Sequence, residues 1–88
     1  MKVSMADVRQ AFENLIQEKI SREEIANWAL ERQFANDRDE LVYEPMNEKR
    51  RIWDAISYLT GVDLLADEKG NYLHCVDDFI DYKKQLGI

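Results

Sequence analysis

The tightest local constraint in this sequence is the stretch Ile20-Ser21-Arg22-Glu23-Glu24-Ile25. Ser21 and Glu24 have the S-x-x-E spacing of a capping box. In that motif the hydroxyl accepts from the backbone N–H three residues on, and the carboxylate reaches back to the cap N–H. Ile20 and Ile25 have the spacing of a hydrophobic staple. Glu23 and Glu24 suit the positive end of a helix dipole. One helix must therefore stop by Ile20 and another must start at Arg22, with almost no linker between them. Two helices are forced into one pair, and the rest of the chain must cover their apolar faces.

The flanking patterns supply the cover. Ser4 and Asp7 form a weaker cap, because aspartate is shorter than the preferred glutamate. Val8, Phe12, Leu15 and Ile16 then follow helical spacing, predicting a helix over about 5–19. Ile25, Trp28, Ala29 and Arg32, widened by Ala26, Leu30 and Phe34, predict a second helix over about 22–35. Trp28 belongs at the core centre or its rim. Asn36 is suited to end this helix in a left-handed conformation. Leu41, Val42 and Tyr43 are strand-like but too short a run to build a sheet alone, so residues 36–45 read as an ordered loop. Pro45 precedes a third helix over about 47–60, with Ile52, Trp53, Ile56 and Leu59 as its stripe and Gly61 as its stop. A second irregular region over 62–73 carries the turn signal Lys69-Gly70-Asn71, consistent with a small hairpin. The last helix runs over about 76–86, with Val76, Phe79, Ile80, Lys83 and Leu86 inward and Gly87 closing it. Asp77 and Asp78 at its start, and Lys83 and Lys84 at its end, match the helix dipole. The expected fold is all-α: a compact four-helix bundle in one domain, with an ordered 2–3 loop and a long 3–4 loop.

Charge narrows the function classes. The 88 residues hold 12 Lys and Arg against 18 Asp and Glu, a net charge of -6. A nucleic-acid binder needs a basic face to displace phosphate counterions, so this balance points away from nucleic acid. It points equally away from an anionic membrane surface. Lys49, Arg50 and Arg51 form the one basic cluster and read as a solvated face partly paired with Glu44, Glu48 and Asp54. No secretory leader or span of about 20 apolar residues is visible, and a soluble, cytoplasmic chain is expected.

Catalytic and metal motifs fail one by one. Placing Gly70 at the glycine of a calcium loop puts Leu65, Lys69 and Val76 where oxygen ligands belong. One His and one Cys cannot build a zinc site. His74 and Cys75 are adjacent, but adjacency does not make a nucleophile pair. No cofactor, metal or enzymatic activity is expected. What remains is acidity. From Gly61 to Asp81 the acids Asp63, Asp67, Glu68, Asp77, Asp78 and Asp81 face Lys69 alone. Asp37, Asp39, Glu40 and Glu44 make a second acidic group in the 2–3 loop. These two groups, with Tyr72, are the candidate partner-binding residues, and their charge suits a basic protein partner. In an up-down-up-down bundle, however, the 1–2 corner shares an end with the 3–4 loop, and the 2–3 loop lies at the other.

The order of motifs resembles a known family. The Ile20–Ile25 corner, the Trp28-Ala29 pair, the acidic loop, Asp54-Ala55-Ile56-Ser57-Tyr58-Leu59, Leu65-Ala66-Asp67, Tyr72-Leu73 and Asp77-Asp78-Phe79 together look like the small acidic bacterial toxin-immunity proteins of the colicin D immunity type. That resemblance implies a four-helix bundle that blocks a basic nuclease toxin with carboxylates standing in for phosphates. The other function class is an accessory interaction module with no toxin partner, whose acidity keeps it soluble.

Overall fold

The computed structural model describes residues 1–65 and 67–88. Ala66, within the 3–4 loop and the Leu65-Ala66-Asp67 motif, lies outside the described residues. The chain forms strand β1 (Lys2–Ser4), helices α1 (Met5–Ile16) and α2 (Arg22–Asp37), strand β2 (Val42–Glu44), a 3-10 turn at Met46–Glu48, and helices α3 (Lys49–Leu59) and α4 (Val76–Leu86). The helices run alternately up and down.

The fold is not purely helical. β1 and β2 pair in parallel, Lys2 opposite Val42, Val3 opposite Tyr43 and Ser4 opposite Glu44. The loop expected at 41–45 is therefore partly a strand, and its partner is the very start of the chain. Each strand is only three residues long, so neither carries a periodic signal of its own. Two further contacts hold the sheet in place. Val3 is fully buried, and the buried Tyr43 donates its hydroxyl to Asn36 Oδ1 at 2.8 Å. Parallel pairing requires a crossover, which α1 and α2 supply. It also places α1 and α3 side by side with their N-termini at one end.

The helix starts follow the sequence closely, with one reversal. At Ser4 the capping box is complete: Ser4 Oγ accepts from Asp7 N at 3.0 Å and Asp7 Oδ2 accepts from Ser4 N at 2.9 Å. At Ser21 only half is made, with Ser21 Oγ accepting from Glu24 N at 3.1 Å. The short aspartate is long enough to reach back.

The helix ends differ more. α1 stops at Ile16, and Gln17 to Ser21 form a genuine connection. Glu18 takes a left-handed conformation (φ 57°), and Lys19 N donates to Asn14 O at 2.9 Å. This six-to-one closure is a Schellman motif made without glycine. α2 ends in the same way. Asp39, not Asn36, is left-handed (φ 57°), and Glu40 N donates to Ala35 O at 2.7 Å. On α4, Gly87 takes the left-handed position (φ 74°) as glycine should.

Phe12, Ile52, Ile56, Leu59 and Phe79 anchor the core between all four helices. Of the stripe expected on α4, only Phe79 is fully buried. Tyr82 takes over much of its packing. Its ring stacks on Tyr58 with centroids 3.8 Å apart and planes 7° from parallel, and Phe12 lies 5.9 Å away. The 3–4 loop carries an antiparallel bridge between Leu65 and Tyr72, and Leu73 N donates to Leu64 O at 2.9 Å.

Two tests follow from this geometry. Glu18→Gly removes the steric cost of a left-handed side chain and should raise stability by about 0.5–1 kcal/mol, net of the entropy of a freer unfolded chain. A urea melt would register the shift. Burial pushes the phenols of Tyr58 and Tyr82 above the ordinary tyrosine value. A raised folded-state value means that stability is whole below the ordinary value and is lost as pH climbs through the raised one. Melting temperature should accordingly fall on titration from about pH 9 to about pH 11, and less steeply in Tyr58→Phe.

Candidate functional site

The acidic candidates divide between the two ends of the bundle. Glu23 and Asp37 lie near opposite ends of α2, and that helix alone separates them by about 21 Å at 1.5 Å per residue. Asp37, Asp39, Glu40 and Glu44 sit at the sheet end, while Asp63, Asp67, Glu68, Tyr72, Asp77 and Asp78 sit at the corner end. The two groups do not form one surface.

Several of these side chains already have work inside the fold. Glu40 Oε2 pairs with Arg38 Nε at 3.1 Å, and Glu44 Oε1 with Lys2 Nζ at 3.1 Å. Asp67 accepts from the backbone N–H of Lys69 and Asn71 and from the Asn71 side-chain amide. The Asn71 amide and these backbone donors hold its carboxyl below the usual aspartate range. Asp78 Oδ2 accepts from Cys75 N at 3.0 Å and so caps α4, with His74 Nδ1 3.7 Å away. Cys75 is exposed at that cap. No group of three or more His, Cys, Asp and Glu is placed to hold a metal ion among the described residues.

Tyr72 belongs to a clasp between the 1–2 corner and the 3–4 loop. Its hydroxyl donates to Glu23 Oε1 at 2.7 Å. The Arg22 guanidinium lies over the Tyr72 ring at 4.1 Å and the Phe79 ring at 4.9 Å, and donates to the carbonyls of Val62 and His74. The Tyr72 hydrogen bond is the main cause of a depressed Glu23 carboxyl.

The sheet end gathers the opposite charge on its α3–α4 side. Arg51 donates to Glu48 Oε2 at 2.7 Å and to the carbonyl of Leu86. That bond joins the first turn of α3 to the last turn of α4, so Lys49, Arg50 and Arg51 share an end with Lys83 and Lys84. Lys83 Nζ donates to Ile88 O at 2.8 Å, and Lys49 Nζ lies 5.4 Å from the Tyr43 ring centroid. Lys49, Arg50 and Lys84 are exposed, with no carboxylate within ion-pair distance among the described residues. The first turn of α3 holds no acid, and its cap residue Glu48 makes no side-chain cap bond. Cations and the positive end of a helix dipole thus coincide there, a field that an anion would relieve. Sequence reading missed this convergence by assigning Lys83 and Lys84 to the dipole of their own helix, and Lys83 also to its inward stripe. The alternating topology, which sets the start of helix 3 beside the end of helix 4, was the signal that could have found it.

Comparison with known proteins corrects the functional expectation. A family model described as YxzC DNA-binding protein matches residues 2–86. The chain is also similar to an uncharacterized protein YxzC of Bacillus subtilis (strain 168), 38% identical over 65 residues, covering 74% of this chain and 47% of that protein. The chain thus spans about half the length of the curated relative it matches. No solved structure matches. The family match spans nearly the whole chain, and the chain belongs to the YxzC family. The resemblance to toxin-immunity proteins is overturned: capping boxes and acidic loops recur in unrelated bundles, and the matching family is another one. The expectation of no nucleic-acid partner also falls against a family described as DNA-binding. It rested on total charge and on Lys49, Arg50 and Arg51 taken alone, without Lys83 and Lys84 that the fold brings to the same end. The absence of a membrane span survives in its plain form: no helix among the described residues is long and apolar enough to cross a membrane.

Tyr72→Phe tests the clasp. Loss of the hydroxyl should let the Glu23 carboxyl rise toward the ordinary glutamate value, followed by NMR titration. The sign for stability is fixed by the depression: the Glu23 contribution holds above the ordinary value and is lost as pH falls through the lowered one. Tyr72→Phe should flatten that acid-side loss.

Proposed function

We propose that this chain binds DNA, laying the α3–α4 end against the phosphate backbone. The observation that carries the reading is the convergence of Lys49, Arg50 and Arg51 with Lys83 and Lys84 across the Arg51–Leu86 bond. The family description supports the same class of ligand. Phosphate contact needs neutralising cations, and the first turn of α3 sets Lys49 and Arg50 at the positive end of its dipole.

Net charge does not forbid this. α3 is 11 residues long, so the acidic 3–4 loop lies about 16 Å beyond the basic end. The Debye length is about 8 Å at physiological ionic strength, so the loop acids are largely screened from a duplex on the opposite end. At about 0.01 M salt the Debye length grows to about 30 Å and the whole net charge is felt. The acidic end would then turn away from the duplex and orient the molecule end-on. Sequence information requires base-edge contacts, and the exposed basic side chains by themselves supply positioning. The reading is therefore of a non-enzymatic binder whose affinity comes mainly from phosphate.

Fluorescence anisotropy with a labelled duplex tests it. Lys49→Glu/Arg50→Glu/Lys84→Glu should weaken binding by at least about a hundredfold without unfolding the protein, since each replaces attraction with repulsion. Arg50→Ala should flatten the slope of log affinity against log salt by about 0.9, the value of one lost phosphate contact. Asp67→Asn/Glu68→Gln should change duplex affinity little at physiological salt. Unchanged binding in the triple charge reversal would remove this end from the interface.

A further inference from the structure

A second site is suggested by the seam between α1 and α2. The two helices splay apart above the corner and leave an open cleft of about 360 Å³. That falls within the size range of small-molecule sites, about 300–1,000 Å³. Ile25 and Trp28 give it an apolar and aromatic floor, while Asp7, Asn14, Glu24 and Arg32 converge on it from both helices. Arg32 is the unusual member. Its guanidinium stacks over the Trp28 ring at 4.0 Å, and Nη1 donates to Trp28 O at 3.0 Å. Nη1 also lies 3.8 Å from Glu31 Oε2, Nε is buried without a partner, and Nη2 makes no hydrogen bond among the described residues. A guanidinium held in this way is fixed in place against the indole, and its uncommitted Nη2 is the donor that a ligand acceptor would meet.

We infer that this cleft binds a small uncharged planar heterocycle of the guanine type, as a free base or nucleoside. Three features select that chemistry. The Trp28–Arg32 stack can be extended by another planar ring. Arg32 Nη2 is the donor for an acceptor edge, such as guanine presents through O6 and N7. Asp7 and Glu24 are acceptors for a donor edge, which guanine presents through its ring N–H and exocyclic amine. Two carboxylates against one guanidinium also leave the lining net negative, so a phosphorylated form should be rejected. The cleft uses none of the cations assigned to DNA, and the inference does not depend on that reading.

The experiment uses the full chain carrying Trp53→Phe, so that Trp28 is the remaining indole. Guanosine, its 5′-monophosphate and adenosine are titrated against Trp28 fluorescence, and guanosine is titrated again with the side-chain amides of Gln10 and Asn14 followed by NMR. Expected are saturable quenching by guanosine at millimolar or lower concentration and shifts of both amides. Binding of the monophosphate and of adenosine should be weaker by at least about tenfold. Arg32→Gln should lose guanosine binding by a similar factor, Arg32→Lys should recover only part of it, and Lys49→Glu/Arg50→Glu should leave it unchanged. No saturable quenching in the Trp53→Phe protein, or equal binding of guanosine and its monophosphate, would overturn the inference. If Arg32→Gln fails to fold, unmoved Gln10 and Asn14 amides in the unsubstituted chain would overturn it on their own.

Discussion

The Arg22 guanidinium is the contact on which the arrangement of the bundle most depends. It is held between the rings of Tyr72 and Phe79, and it donates to carbonyls at both ends of the 3–4 loop, Val62 and His74. One side chain at the first turn of α2 therefore fastens the longest irregular segment and seats the start of α4. The two carbonyls would otherwise be half-buried and short of partners. With α4 fixed at that end, its last turn arrives beside the first turn of α3, where Arg51 meets Leu86. The clasp at the corner end thus sets the position of the cations at the other.

That coupling explains how an acidic chain can carry a usable basic face. Charges summed along the sequence give -6, but folding gathers Lys49, Arg50, Arg51, Lys83 and Lys84 on the α3–α4 side of the sheet end. The acids of the 3–4 loop and of the first turn of α4 lie at the corner, where Asp67 and Asp78 are fixed by turn and cap hydrogen bonds. Glu40, Glu44 and Glu48 at the sheet end are each paired with a cation. The cations left exposed there are the consecutive Lys49 and Arg50 and the distant Lys84, brought to one end only by folding. Net charge is a property of solubility and long-range approach, whereas a phosphate contact samples charge within about one Debye length.

The sequence made the local parts of the structure legible. Ser4, Ser21 and the proline before α3 mark helix starts because capping and proline chemistry act over three or four residues. The stripes of α1 and α3 predict their buried faces because periodicity is equally local. What could not be read is non-local or lacks its usual residue. Val3 and Tyr43 pair across forty positions, and neither strand is long enough to show alternation. Glu18 and Asp39 take the left-handed positions that glycine usually marks, so α1 and α2 end at different places from those expected. The cleft was invisible because Trp28 and Arg32 look like the edge of a core stripe until the splay of α1 from α2 leaves them on its floor. The cations of the sheet end were visible singly, and their grouping needed the packing of α3 beside α4.

The first turn of α3 bears on whether this grouping is incidental. Lys49, Arg50 and Arg51 occupy the end of a helix where acids are preferred, and Arg51 alone has an acid, Glu48, to offset it. Each exposed cation at that end costs roughly 0.3–1 kcal/mol. No capping side chain repays the cost, whereas α1, α2 and α4 are all capped by side chains at their starts. The core must therefore carry α3. Ile52, Ala55, Ile56 and Leu59 are each fully buried, and their burial outweighs a few tenths to a few kcal/mol of unfavourable electrostatics several times over. Because the fold does not need these cations and is somewhat weakened by them, an anionic ligand at this end would gain from a field already in place and relieve its repulsion at the same time.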